Sequence, residues 1–200
     1  MRDLADYPVA GVHLVETLAA LDAIHAPDCA AVILARPQDA ALKDWLADLP
    51  AATLPQMREV LRPQDIRPAL ERLCAALPDC DARARFIADV TALAVRFAQL
   101  MAAPRLRLRL EAVTGNACRE FHIDYVTARL VCTYRGTGTQ YGLAAIGAEP
   151  EDIHTLPTGQ PILLRGTRWP TTPRSNLKHR SPPIEGSGET RLLLVLDPIT

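Results

Sequence analysis

The sequence predicts an α+β protein, with a mainly helical N-terminal segment packed on a C-terminal β-sandwich or jelly roll. Two observations predict it. Through the first hundred residues alanine and leucine dominate, and apolar side chains recur every three or four positions. From Arg105 the period falls to two, and short strand-like pieces follow one another between turn residues. The chain therefore divides into a helical segment, 1–103, and a strand-rich core, 104–200, which together form one compact unit.

Composition supports a buried core and excludes several classes of function. Apolar residues make up 48% of the 200 residues and charged residues 22%, which rules out wholesale disorder. A net charge of −1 argues against general nucleic-acid binding, and 4% aromatic residues leave little for base stacking. No apolar run is long enough to span a bilayer, and the N-terminus lacks a basic-then-apolar leader, so a cytoplasmic protein without membrane contact is expected. The five cysteines are odd in number and none are paired as CxxC, which predicts free thiols rather than disulfides or a four-cysteine zinc site.

Taken in order, the elements begin with a buried strand at Ala30–Ala35 and a short helix over Asp39–Leu49. Asp65 caps a helix to Leu77, in which Ile66, Ala69, Leu70, Leu73, Cys74 and Leu77 share a face and Pro68 falls in the first turn. Asp79 or Asp81 opens the longest helix, ending near Met101, with a packing stripe from Phe86 through Val90, Leu93 and Phe97. Arg105–Val113 alternates arginine and leucine, a strand with one apolar and one basic face. Further strands are expected at Arg119–Ile123, Arg129–Arg135, Tyr141–Ile146, Asp152–Leu156, Pro161–Arg165, Asn176–Arg180 and Thr190–Leu196. Thr171–Pro173 and Ser181–Gly188 have loop composition, and Gly136–Thr139 reads as a β-turn.

The chemistry concentrates between Cys118 and Thr139. His122 and Asp124 are two apart, so on a strand they present an imidazole and a carboxylate to one point. A simple ion pair explains that pair equally well. His179 follows more than fifty residues later, and Arg191 opens the apolar run RLLLVLD. A buried guanidinium needs a partner, either a structural acid or the carboxylate of a small molecule. Two histidines and a carboxylate on one side of a metal, with open positions opposite, suit a non-haem Fe(II) site. Residue identity leaves zinc or manganese open, and Cys118 or Cys132 would supply a soft ligand favouring zinc.

The order HxD, distant His, then Arg resembles the iron- and 2-oxoglutarate-dependent dioxygenases. The local wording is similar to their prolyl-hydroxylase-like branch at His122–Tyr125, Arg129-Leu130, Thr133-Tyr134, Pro157–Gln160, His179–Pro182 and Arg191–Leu194. Nearly the whole chain also resembles a bacterial family carried only as a domain of unknown function. The dioxygenase resemblance implies a double-stranded β-helix, with His122, Asp124 and His179 as iron ligands and catalytic centre. It implies that Arg191 binds the distal carboxylate of 2-oxoglutarate, aided by the hydroxyl of Tyr134 or Thr133. Strand parity puts Leu130, Cys132 and Tyr134 on one face, and Tyr134 is preferred on that ground. The sequence departs from the family at Gln140–Gly142, where a Gly-Gly turn is usual, and around Trp169.

The implied activity is hydroxylation of a small-molecule or peptide substrate. The basic run Arg165, Arg168, Arg174, Lys178 and Arg180 suggests an anionic one, although a solvated loop has the same composition. Two other classes fit the same residues. One is a non-catalytic, cupin-like protein binding zinc or iron in metal homeostasis, and the other is a silent jelly roll used for protein contacts.

Overall fold

The computed structural model describes residues 9–171 and 175–199. Ten strands and three α-helices are arranged around two sheets. The strands are β1 (Val12–Val15), β2 (Ala31–Leu34), β3 (Met57–Leu61), β4 (Arg105–Val113), β5 (Ala128–Arg135), β6 (Gln140–Leu143), β7 (His154–Thr155), β8 (Pro161–Arg165), β9 (Leu177–Arg180) and β10 (Arg191–Ile199). The helices are α1 (Ala40–Asp48), α2 (Pro63–Leu73) and α3 (Asp81–Leu100).

The large sheet has the order β1-β2-β8-β5-β10-β4-β3, and the small one β7-β6-β9. Among the described residues, only β1 and β2 pair in parallel. One face of the large sheet packs Leu106, Leu108, Leu110, Leu130, Leu192, Leu194 and Leu196 into a cluster with helix residues such as Ile66, Phe86, Val90, Leu93 and Phe97. The other face turns Ile33, Val131, Ile162, Leu164, Leu193 and Val195 toward Tyr141 and Leu177 of the small sheet and Leu156 just after β7. Strands β5, β8 and β10 are therefore covered on both sides, which is why they read as nearly continuous apolar runs.

Several expectations need correction. The segment 1–103 is not simply helical, because it contributes β1, β2 and β3 to the large sheet. Strand β3 adds to the outer edge of β4 through Met57–Leu61, a stretch whose exposed residues gave no alternating apolar signal. Helix α2 starts earlier, with Pro63 at its first turn, so Pro68 lies inside it. It ends at Leu73, and the chain beyond turns tightly with Leu77 bonded back to Cys74. Arg119–Ile123 is not a strand and pairs only at His122. Asp39 caps α1, its carboxylate accepting from the Leu42 N–H at 3.0 Å. Of the expected loops, Ser181–Gly188 is irregular and held by Asn116, whose Oδ1 accepts from Ile184 and Glu185. Most of Thr171–Pro173 lies outside the described residues.

Candidate metal centre

His122, Asp124 and His179 come together at one point, their ligand atoms all within 4.8 Å of one another. Backbone pairing does the positioning. The His122 N–H donates to the His179 carbonyl at 3.1 Å, and the His179 N–H returns a bond to His122 at 3.0 Å. This extends the small sheet along the edge of β9 that β6 leaves open, since Tyr141 pairs with His179 from the other side. Asp124 follows on a loop tied to the end of β8, where its carbonyl accepts from Thr167 at 2.9 Å. Gly166 permits that approach: a Cβ there would meet the Val126 carbonyl oxygen at 2.0 Å.

The side chains are prepared for a cation. Nδ1 of His122 lies 2.8 Å from the Glu120 carbonyl, which makes it the donor nitrogen and leaves the Nε2 lone pair toward the cluster. Nε2 of His179 is 3.1 Å from Oδ2 of Asp124, and Nε2 of His122 is 3.5 Å from Oδ1. The Asp124 Oδ2 atom is buried and has no aligned hydrogen-bond donor. A carboxylate whose two oxygens each face an imidazole nitrogen, with the buried Oδ2 lacking an aligned donor, is an arrangement that a divalent ion completes. Burial opposes ionisation of Asp124, but the two imidazoles and Arg129 outweigh it and hold the carboxyl well below the usual range. Burial pushes the His179 imidazole down, against the pull of Asp124, so its neutral ligating form is favoured. Hydrogen bonding to Asp124 raises His122 instead.

Sequence reasoning missed the residue that holds Asp124. Arg129, at the start of β5, donates through Nη1 to Oδ1 of Asp124. It also grips Asp197 of β10 with two bonds, Nε to Oδ1 at 2.6 Å and Nη2 to Oδ2 at 3.0 Å. Asp197 is only 2% exposed, so this pair is a buried clamp that orients the ligand carboxylate from behind. An acid ending the apolar run RLLLVLD was the available signal.

Arg191 is fully buried on the same face of β10 as Leu193 and Val195, the latter two lining the cavity beside the histidines. It lies two residues beyond Leu193, about 7 Å along the strand. Its Nε donates to the Thr137 carbonyl at 2.7 Å and its Nη2 to Oγ1 of Thr133 at 3.2 Å, while Nη1 has no hydrogen-bond partner. Burial without a contacting acid pulls its pKa down to about 10, with Glu189 opposing.

The preference for Tyr134 over Thr133 is corrected here. Tyr134 lies on the helix side of β5, where its hydroxyl donates to Asp89 at 2.5 Å and its ring meets Phe86 edge-on. Thr133 is the residue beside Arg191. Parity was read correctly, but the apolar face proved to be the helix-packed one.

Other candidates disperse. Cys132 is buried on the helix side with its thiol pushed up to about 12 by burial, and Cys118 is exposed. Among the described residues no cysteine joins the cluster, which removes the soft-ligand argument for zinc. His154 stacks on Tyr141 in an edge strand. The basic run does not form one surface. Arg165 is buried, binding the Ile24 and Ala26 carbonyls under Trp169, while Arg168 lies over Tyr125, Arg180 lies over Phe121 and Lys178 binds the Ala148 carbonyl. Arg174 lies outside the described residues. Two larger cavities, of about 400 and 470 Å³, lie on the helix side against Arg36, Lys43 and Tyr134, away from the cluster.

The family described as "Protein of unknown function (DUF1826)" matches residues 16–197. The chain belongs to that family. No curated protein matches the sequence. Among solved structures, the dioxygenase for auxin oxidation in rice superposes with a TM-score of 0.52 at 12% identity, over 94% of this chain and 82% of that one. Dioxygenase for auxin oxidation 1 from Arabidopsis thaliana, in a binary complex with 2-oxoglutarate, gives 0.51 at 11% identity, over 94% and 91%. A Pseudomonas putida prolyl-4-hydroxylase gives 0.47 at 14% identity, over 92% and 100%. At these identities the DUF1826 chain shares a fold with the two auxin-oxidising dioxygenases. No helix among the described residues is long and apolar enough to cross a membrane.

Proposed function

We propose that the protein is an iron- and 2-oxoglutarate-dependent oxygenase that hydroxylates a small-molecule or peptide substrate in the cytoplasm. The observation carrying this reading is the convergence of His122, Asp124 and His179, with an undonated buried carboxylate oxygen, inside a barrel of the dioxygenase fold. Bound by these residues, Fe(II) would couple oxidation of 2-oxoglutarate by dioxygen to oxidation of a substrate C–H bond.

The chain's own residues have definable tasks. Glu120 fixes the His122 tautomer through its carbonyl, and Arg129 holds Asp124 so that Oδ2 faces His179 and Oδ1 faces His122. Arg191 offers its free Nη1 to the distal carboxylate of 2-oxoglutarate, with Thr133 setting the guanidinium plane. Val131, Leu193 and Val195 wall the cavity beside the histidines with aliphatic surface, which excludes water from the reacting atoms.

Anaerobic addition of Fe(II) and 2-oxoglutarate is expected to produce a weak visible charge-transfer band. Admission of oxygen should then yield succinate. Folded protein that retains no metal and develops no band would sink the proposal.

A further inference from the structure

The cavity beside the metal cluster contains a cation that the proposed reaction leaves unused. The cavity is small, about 100 Å³, with His122 and His179 at one side and Val131, Leu193 and Val195 at the other. Arg109 lines it from β4, where it sits opposite Val195. Its Nε is buried and has no hydrogen-bond partner. Its nearest acid contact is loose, Nη2 lying 4.0 Å from Oδ2 of Asp197. That acid is already committed, because both of its oxygens accept from Arg129. Two more arginines line the wall, Arg129, which is bound to Asp124 and Asp197, and Arg180, whose guanidinium lies over Phe121, and Glu111 is an acid on the same wall. An unsatisfied buried N–H on a guanidinium is costly until an acceptor arrives, and the acceptor that best matches its fork is a carboxylate.

We propose that Arg109 anchors a carboxylate in this cavity, so that the ligand held beside the cluster is a small organic acid with its aliphatic part on Val131, Leu193 and Val195. This rests on the oxygenase reading. Two molecules could supply the carboxylate: a substrate acid, or 2-oxoglutarate itself, with Arg109 taking the part assigned to Arg191.

The test is calorimetry on Mn(II)-loaded protein, comparing wild type with Arg109→Gln and Arg191→Gln. Each is titrated with 2-oxoglutarate and then, at saturating 2-oxoglutarate, with butyrate. If a substrate acid is the source, butyrate binds wild type and Arg109→Gln weakens it at least about tenfold, leaving 2-oxoglutarate unaffected. If the cosubstrate is the source, Arg109→Gln weakens 2-oxoglutarate itself by at least about tenfold. The proposal is overturned if Arg109→Gln changes neither titration, including the case in which butyrate never binds. Arg109→Lys keeps the charge without the fork and should recover part of the affinity, with melting temperature as the check on folding. Failure of the oxygenase reading looks different: wild type then binds no Mn(II) or no 2-oxoglutarate, and butyrate titrated into metal-free protein still reads Arg109 alone.

Discussion

Both faces of β5 are buried, yet they bury different things. On the helix side Leu130, Cys132 and Tyr134 meet leucines and phenylalanines, and the one polar atom among them, the Tyr134 hydroxyl, is satisfied by Asp89. On the other side Arg129, Val131 and Thr133 meet charged partners and a cavity, Asp124 faces His122 and His179, and guanidinium N–H groups of Arg109 and Arg191 have no hydrogen-bond partner. The helix side also leaves the Trp45 and Trp169 indole N–H groups without partners, and Tyr134 borders two larger cavities there. What sets the other side apart is that its unsatisfied donors belong to charged side chains, which cost more to leave unpaired. Substitutions on the two sides of β5 should therefore act differently.

The largest expected effect is at Asp124. Asp124→Ala should weaken Mn(II) binding more than about a hundredfold by calorimetry, since one of three ligands is lost. Its melting temperature should fall little, because Arg129 keeps both bonds to Asp197. Arg129→Gln should behave differently. It strands the buried Asp197 carboxylate, so denaturant unfolding should show a loss of about 3–5 kcal/mol. Metal affinity should also fall about tenfold or more through the misplaced Asp124. A stable Arg129→Gln protein with normal metal binding would mean that the clamp does not orient the ligand.

Smaller effects separate the two faces of β5 directly. Thr133→Val should weaken 2-oxoglutarate severalfold and also cost about 1–3 kcal/mol of stability, because Nη2 of the buried Arg191 loses its acceptor. Tyr134→Phe should cost about 1 kcal/mol of stability and leave 2-oxoglutarate binding as it was. The opposite pattern would restore Tyr134 as the cosubstrate partner.

The mildest effect is on pH. Ligation needs neutral imidazoles, and His122 is raised by its bond to Asp124, so its proton competes with the metal. Mn(II) affinity should therefore climb as pH rises through the raised His122 value and level off above it. Asp124, held ionised, should add no step near neutrality. An affinity that stays flat between about pH 5 and 8 would remove His122 from the ligand set.

Much was legible before any coordinates. Local rules are enough for α1, where Asp39 caps an amphipathic turn, and for α3, whose stripe is regular over twenty residues. The alternation in β4 and the unbroken apolar runs of β8 and β10 show their strands equally well. The spacing of His122, Asp124 and His179 pointed to the cluster that the fold assembles. Strand β3 was missed because it is a largely exposed edge whose pairing with β4 is long-range. The strand predicted at Arg119–Ile123 was overextended because a single backbone bridge is all His122 needs.

By itself the sequence determined that the chain buries a core, changes from helical to strand periodicity, and carries two imidazoles, an acid and a guanidinium in a telling order. Only the tertiary structure decided which neighbour each charged group meets. It set Thr133 rather than Tyr134 beside Arg191, clamped Asp124 with Arg129, and left Arg109 facing a cavity. The physical reason is that a strand covered on both sides has no solvent face to betray its orientation. The meaning of each side chain is then fixed by the layer packed against it, and that layer comes from residues far away in the chain.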